Sequence, residues 1–197
     1  MLEENKKTFF DQKFQSYSTV ILPGEYSTTN KEDHMLVTIL GSCVAACIRD
    51  PILKIGGINH FLLAKPSLEL TSSSSRYGST AMECLINEIL KKGGERSRLE
   101  VKVFGGSDLI QSSLKIGTQN SEFVLKYVKT EGLRLLAEDL GGDRPRRIHY
   151  WPYDGKVLRQ IIQPQEVTEL IHKENTYCKK LNTKEKEPDD GGIELFN

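Results

Sequence analysis

The sequence predicts an α+β or layered α/β domain with a mixed, mostly antiparallel sheet and two main helices. Short β-rich runs alternate with glycine punctuation along most of the chain. Two stretches carry apolar residues at helical spacing. The strand-like runs lie too close together for strict βαβ units. With 197 residues, the chain is long enough for one domain with a sizeable core plus extra residues at its ends.

Residues 1–17 are polar and weakly patterned and read as an N-terminal extension. Thr19 to Leu22 is a short strand-like run stopped by Pro23-Gly24, and Ser27 to Asp33 reads as a polar loop. Met35 to Leu40 reads as a buried strand broken by Gly41-Ser42. Cys43 to Ile48 is a second apolar run, closed by the turn signal Asp50-Pro51. Gly56-Gly57 opens a third, Ile58 to Leu63. Leu70 to Ser75, with its serine run, reads as a flexible loop.

Thr80 and Glu83 have capping-box spacing, so the first helix is expected to start there. Met82, Leu85, Ile86 and Ile89 form its apolar face, and Gly93-Gly94 ends it. Leu99 to Phe104 is a strand stopped by Gly105-Gly106. A second helix is expected from near Asn120 to Glu131, with Phe123, Tyr127 and Val128 on its inner face. Leu133 to Ala137 is strand-like. Arg147 to Trp151 and Lys156 to Ile162 form a hairpin through Asp154-Gly155. Residues 18–178 are thus read as the domain, and the polar tail 179–197 as disordered.

The composition narrows the function classes. Basic and acidic residues balance at 27 each, so the basic excess of a duplex-binding protein is lacking and nucleic acid is not an expected partner. No apolar run approaches the ~20 residues that span a bilayer. The charged N-terminus leads into no signal-peptide core, and a cytoplasmic location is expected. The spacings of Cys43, Cys47, Cys84 and Cys178 and of the four histidines match no zinc pattern, so no metal is expected. On one strand Cys43 and Cys47 would share a face but sit ~13 Å apart, too far for a disulfide.

Cysteine chemistry needs a thiolate, a base and donors for an oxyanion. Gly41 lets the backbone bend before Cys43, which would present the sulfur and aim the amides of Ser42 and Cys43 at a developing oxyanion. The plain alternative is a small core residue, since free cysteine is among the most buried types. His60 lies between Ile58 and Leu62 on one strand face. If the strands holding Cys43 and His60 pair through a turn near Leu53-Lys54, the two meet at one end of a hairpin. An imidazole there would draw off the thiol proton, and the Thr38 hydroxyl could orient the ring.

The run Thr38-Ile39-Leu40-Gly41-Ser42-Cys43-Val44-Ala45-Ala46-Cys47, followed by Gly56-Gly57-Ile58-Asn59-His60-Phe61, resembles the CheD family of chemoreceptor glutamine deamidases. Further matches are Arg76-Tyr77-Gly78, Ala81-Met82-Glu83, Lys102-Val103-Phe104-Gly105-Gly106, Ile116-Gly117 with Asn120, and Glu138-Asp139-Leu140-Gly141-Gly142. The resemblance spans about Leu36 to Val157. Ser107 and Gln119 depart from it, standing where alanine and arginine are common.

The resemblance implies a layered α/β sandwich, similar to the catalytic domain of cytotoxic necrotising factor toxins. It implies Cys43 as nucleophile, His60 as base and Thr38 as third triad member. Gly41, Ser42, Asn59, Gly105 and Gly106 are expected around an oxyanion site or open substrate groove, with the loop Leu70 to Ser75 as a further wall. The implied activity is that of a protein-glutamine glutaminase without cofactor. It converts glutamine side chains of methyl-accepting chemotaxis proteins to glutamate and ammonia in chemotaxis adaptation. The implied partners are chemoreceptor cytoplasmic helices and a CheC-type phosphatase. The alternative is a protein acting mainly as an adaptor, which binds that phosphatase and stimulates dephosphorylation of CheY.

Overall fold

A computed structural model of the chain describes residues 8–63, 72–109 and 115–162, with the backbone alone for 72–76. The elements run β1 (Thr8–Asp11), β2 (Ser16–Val20), β3 (Tyr26–Thr29), β4 (His34–Leu40), β5 (Val44–Asp50), β6 (Ile55–Asn59), α1 (Ser72–Lys91), β7 (Glu100–Gly105), α2 (Ile116–Thr130), β8 (Arg134–Leu140), β9 (Arg146–Trp151) and β10 (Lys156–Ile161). A single 3-10 turn, Arg96–Arg98, precedes β7.

The strands form two five-stranded sheets rather than one. An outer sheet has the order β1-β2-β4-β9-β10 and a central sheet the order β3-β6-β5-β7-β8. Among the described strands only β2–β4 and β7–β8 pair in parallel. Helix α1 lies on β3, β5 and β6, and α2 on β5, β7 and β8, so both helices cover the same face of the central sheet. The outer sheet covers its other face. The result is three layers: helices, central sheet, outer sheet.

Strand β5 sits at the centre and is buried on both faces. Val44, Ala46 and Ile48 join the core beneath the helices, while Ala45 and Cys47 join the core between the sheets. Side chains alternate along a strand, so a strand covered on both sides reads as one continuous apolar run. The β5–β6 hairpin expected from the sequence forms, with Cys47 opposite Ile58 and Asp50 opposite Ile55. So does the β9–β10 hairpin, where Gly155 takes a φ of 76°.

Several boundaries depart from expectation. The polar stretch from Ser27 is not all loop, because β3 pairs with β6 as an edge strand. Its half-exposed residues gave no apolar alternation to read. β1 and the start of β2 fall in the stretch read as an extension and form the outer sheet's edge hairpin. Helix α1 starts at Ser72, so Thr80 lies inside it and Ser72 to Ser75 belong to helix rather than loop. Tertiary contact carries the helix back past Thr80. At Gly78 it passes so close to α2 that an added Cβ would lie 2.5 Å from Phe123 Cε1. Leu70 and the tail beyond Cys178 lie outside the described residues.

Helix α2 begins at Ile116, four residues before the expected start. Its N-cap position, Lys115, supplies no side-chain bond. Asp108 caps the helix from a distance instead. Its Oδ1 accepts from the Gly117 N–H at 2.9 Å and its Oδ2 from the Thr118 hydroxyl at 2.7 Å. A cap supplied from nine residues upstream leaves no local signal. Asp108→Ala is expected to destabilise the fold by about 1–2 kcal/mol, read as a lower denaturant midpoint. An unchanged midpoint would show that the cap contributes nothing.

Candidate active site

The central hairpin carries both the cysteine and the histidine. Its register continues past β6 into a bridge between Val44 and Phe61, closed by two N–H···O bonds of 2.9 Å. By that register Cys43 opposes Leu62, and Ala45 opposes His60. Val44 and Phe61 point to the helices, while Cys43 and Leu62 point to the outer sheet. His60, two residues from Leu62, takes the same face. Cys43 and His60 are therefore diagonal neighbours, a relation with Cβ atoms about 7–8 Å apart or less and within reach of long side chains.

The outer sheet supplies the third group. Thr38, on β4, faces the same seam, and its Oγ1 lies 2.8 Å from His60 Nδ1. The same hydroxyl donates to the Ile21 carbonyl at 2.8 Å. Its one proton being committed there, Thr38 can only accept from the ring, so Nδ1 carries the imidazole proton. Nε2 then holds a lone pair. It is buried and has no hydrogen-bond partner among the described residues. Burial lowers the His60 pKa to about 4, against a smaller upward pull from the Ile21 carbonyl. The ring is neutral at physiological pH, with its basic nitrogen open. The His60 backbone is pinned on both sides: its N–H donates to Glu25 O at 2.9 Å, and its carbonyl accepts from Gly24 N–H at 2.7 Å.

The turn before Cys43 is held by its carbonyls. Gly41 O accepts from Ser107 N–H and Cys43 O from Gly106 N–H, both at 2.8 Å. Ser42 O accepts from Asn120 Nδ2 at 2.8 Å. Gly105 is required by this contact: at its φ of 109° an added Cβ would fall 2.2 Å from Cys43 O. Gly105 and Gly106 thus lie against the turn, as a brace for its backbone. Ser107 is fully buried. Its hydroxyl donates to Arg144 O at 2.7 Å and accepts from Arg146 Nη2 at 2.8 Å, tying the brace to β9.

Two expectations need correcting. Asn59 does not line the cysteine's face. Its Oδ1 accepts from Ala46 N–H at 2.8 Å and its Nδ2 donates to Ala81 O at 3.0 Å, so it fastens α1 to the sheet. Strand alternation puts it opposite in sense to His60. The seam is also no open groove: Cys43 is 0% exposed and His60 2%. The outer sheet closes over a position that the turn at Gly41 was expected to present.

Among the described residues, Cys43, Cys47 and Cys84 form no disulfide with one another. Cys47 shares the seam but faces Ile58 across the hairpin, and burial pushes its thiol well up. Among the described residues no cluster of His, Cys, Asp and Glu is arranged to hold a metal ion. Among the described residues no helix is long and apolar enough to cross a membrane. Asn120 is marked in the sequence by the match Ile116-Gly117 with Asn120, whereas Asp108, just past Gly105-Gly106, carries no local motif.

The fold and the seam define a layered α/β protein whose hairpin and second sheet bring a thiol, an imidazole and a hydroxyl into one buried layer. A family model described as CheD chemotactic sensory transduction matches residues 62–160. That match begins just past His60, but relatives align across the seam residues. One from Rhodopseudomonas palustris, named probable chemoreceptor glutamine deamidase CheD, is 43% identical over 98% of this chain and 91% of its own length. One from Dechloromonas aromatica, named probable chemoreceptor glutamine deamidase CheD 1, is 47% identical over 95% of this chain and 93% of its own. The chain belongs to the CheD family. Among solved structures, Bacillus licheniformis hypothetical protein YfiH overlaps 59% of this chain and 51% of its own, with a TM-score of 0.41 and 12% identity.

The lowered His60 pKa sets a pH dependence. Unfolded, the imidazole has its ordinary pKa of 6.5 and takes up a proton that the folded protein refuses until about pH 4. Stability is therefore full above pH 6.5 and falls as pH drops toward 4, by on the order of 3 kcal/mol. Denaturant midpoints measured across that window should fall less steeply in His60→Gln. Equal slopes in the two proteins would contradict the buried neutral ring.

Proposed function

We propose that this protein hydrolyses the side-chain amide of glutamine residues in chemoreceptors, with Cys43 as nucleophile, His60 as general base and acid, and Thr38 as the residue that orients the ring. The observation that carries this reading is the bare Nε2 of His60. A buried polar atom left without a partner costs about 1–3 kcal/mol, and native structures hold few of them. A histidine kept for packing alone would have both nitrogens bonded. Here the unpaired lone pair lies in the same seam as a cysteine. The names of the relatives supply the substrate class.

In this scheme His60 Nε2 takes the Cys43 proton, and the sulfur attacks the carboxamide carbon of the glutamine. The carbonyl oxygen gathers negative charge, for which the amides of the turn at Ser42 and Cys43 are the proposed donors. The imidazolium, steadied through Nδ1–H by Thr38, passes its proton to the departing nitrogen as the C–N bond breaks and ammonia leaves. A water activated by Nε2 then cleaves the thioester, giving glutamate and restoring the thiol. Because the seam is closed, the glutamine reaches the sulfur only when the outer sheet parts from the turn 41–43. That opening also occurs transiently in the free protein, where a small reagent can reach the sulfur, and the receptor segment binds and holds the open state.

Incubation of a receptor cytoplasmic fragment with the wild-type chain should release ammonia and add ~1 Da per converted glutamine, as amide becomes acid. Cys43→Ala should do neither, and full activity in that variant would sink the scheme. Thr38→Val should lower kcat by about 10-fold or more while leaving KM nearly unchanged, since the ring loses its orienting partner but the substrate surface is intact. A Thr38→Val enzyme with unaltered kcat would remove Thr38 from the mechanism.

A further inference from the structure

We infer that Asn120 is a positioning residue that locks the nucleophile turn to the strand carrying the base, an inference that rests on the reading of Cys43 and His60 just given. Asn120 lies in the first turns of α2 and is fully buried. Its Nδ2 donates to Ser42 O at 2.8 Å, one residue before Cys43. Its Oδ1 accepts from Leu63 N–H at 2.9 Å, three residues after His60. The carboxamide orientation follows from chemistry: an N–H must face its oxygen and a carbonyl must face its nitrogen. One side chain therefore spans the two segments that hold the reacting groups.

The geometry around it makes this a rigid link. The start of α2 is pressed onto the brace turn, where an added Cβ at Gly117 would lie 2.4 Å from Gly106 O. Asp108 fixes the same end of the helix through the Gly117 and Thr118 amides. The brace turn in turn holds Gly41 O and Cys43 O. All three carbonyls of the turn 41–43 are thus held from one side, and Asn120 alone among these partners also reaches the strand beyond His60. Loss of its Ser42 bond removes the one link that ties the middle of the turn to Leu63 through a single side chain, so the sulfur shifts relative to Nε2.

Asn120→Asp isolates this effect. The shape and the Leu63 contact survive, but a carboxylate oxygen replaces the donor facing Ser42 O. The expected result is a folded protein whose kcat on receptor glutamine falls about 10- to 100-fold with KM little changed. Alkylation of Cys43 by iodoacetamide, followed by peptide mass spectrometry across pH, reads the thiol–imidazole coupling without substrate. Its midpoint should move in Asn120→Asp toward that of His60→Gln, while alkylation of Cys84 stays as in the wild type. Asn120→Ser removes the same donor without adding charge and should shift both readouts in the same direction if the aspartate variant folds poorly.

Wild-type kcat per folded molecule with an unmoved Cys43 midpoint in either variant would overturn the inference. A wild-type protein without deamidase activity would instead strike at the activity reading, and the alkylation midpoints would still decide the role of Asn120.

Discussion

The hydrogen bond between Thr38 Oγ1 and His60 Nδ1 is the constraint on which the site depends. It joins the two sheets across the central seam at 2.8 Å. The Thr38 proton is committed to the Ile21 carbonyl, so the bond has one direction, and that direction fixes the imidazole tautomer. Reversing it would place the lone pair on Nδ1 and leave a proton on the nitrogen facing the seam. A base would become a donor without any change in position. Stacking the outer sheet on the central one is therefore what gives the histidine its chemistry.

Each layer of the fold has a separate task. The β5–β6 hairpin puts Cys43 and His60 on one face through strand alternation and register. The outer sheet brings Thr38 and closes over Cys43 and His60. Asn120 from the helix layer and the brace at Gly105 to Ser107 at the end of β7 together hold the turn before Cys43. The arrangement leaves Nε2 buried and unpaired, a local penalty carried by cores on both faces of the central sheet. The same burial lowers the histidine pKa, so the imidazole remains neutral in conditions where a solvated one would begin to take up protons.

The sequence showed the parts of this that depend on neighbours along the chain. Cys43, just before β5, and Cys47, within it, do face the same layer. Asp50-Pro51 and Asp154-Gly155 mark the ends at which the two hairpins turn. The apolar set Met82, Leu85, Ile86 and Ile89 is the buried face of α1. The parts set by distant contacts were hidden. Asp108 caps a helix nine residues away, Gly78 meets Phe123 across two helices, and β3 is held by its pairing with β6 and its contact with α1. The run from Val44 to Ile48 could not reveal which residues face which layer, because both faces are covered. Asn59 and His60 are adjacent in a promising motif, yet alternation sends them to opposite layers. The closure of the seam followed from a second sheet that strand signals alone did not separate from the first.

The central claim concerns one proton, and nitrogen-15 NMR of the His60 ring near neutral pH observes it directly, with His60→Gln identifying the signals. A neutral imidazole with the proton on Nδ1 and a pyridine-type shift at Nε2 is expected, a pattern that scrambles in Thr38→Val. A ring protonated at Nε2, or an imidazolium at that pH, would contradict it.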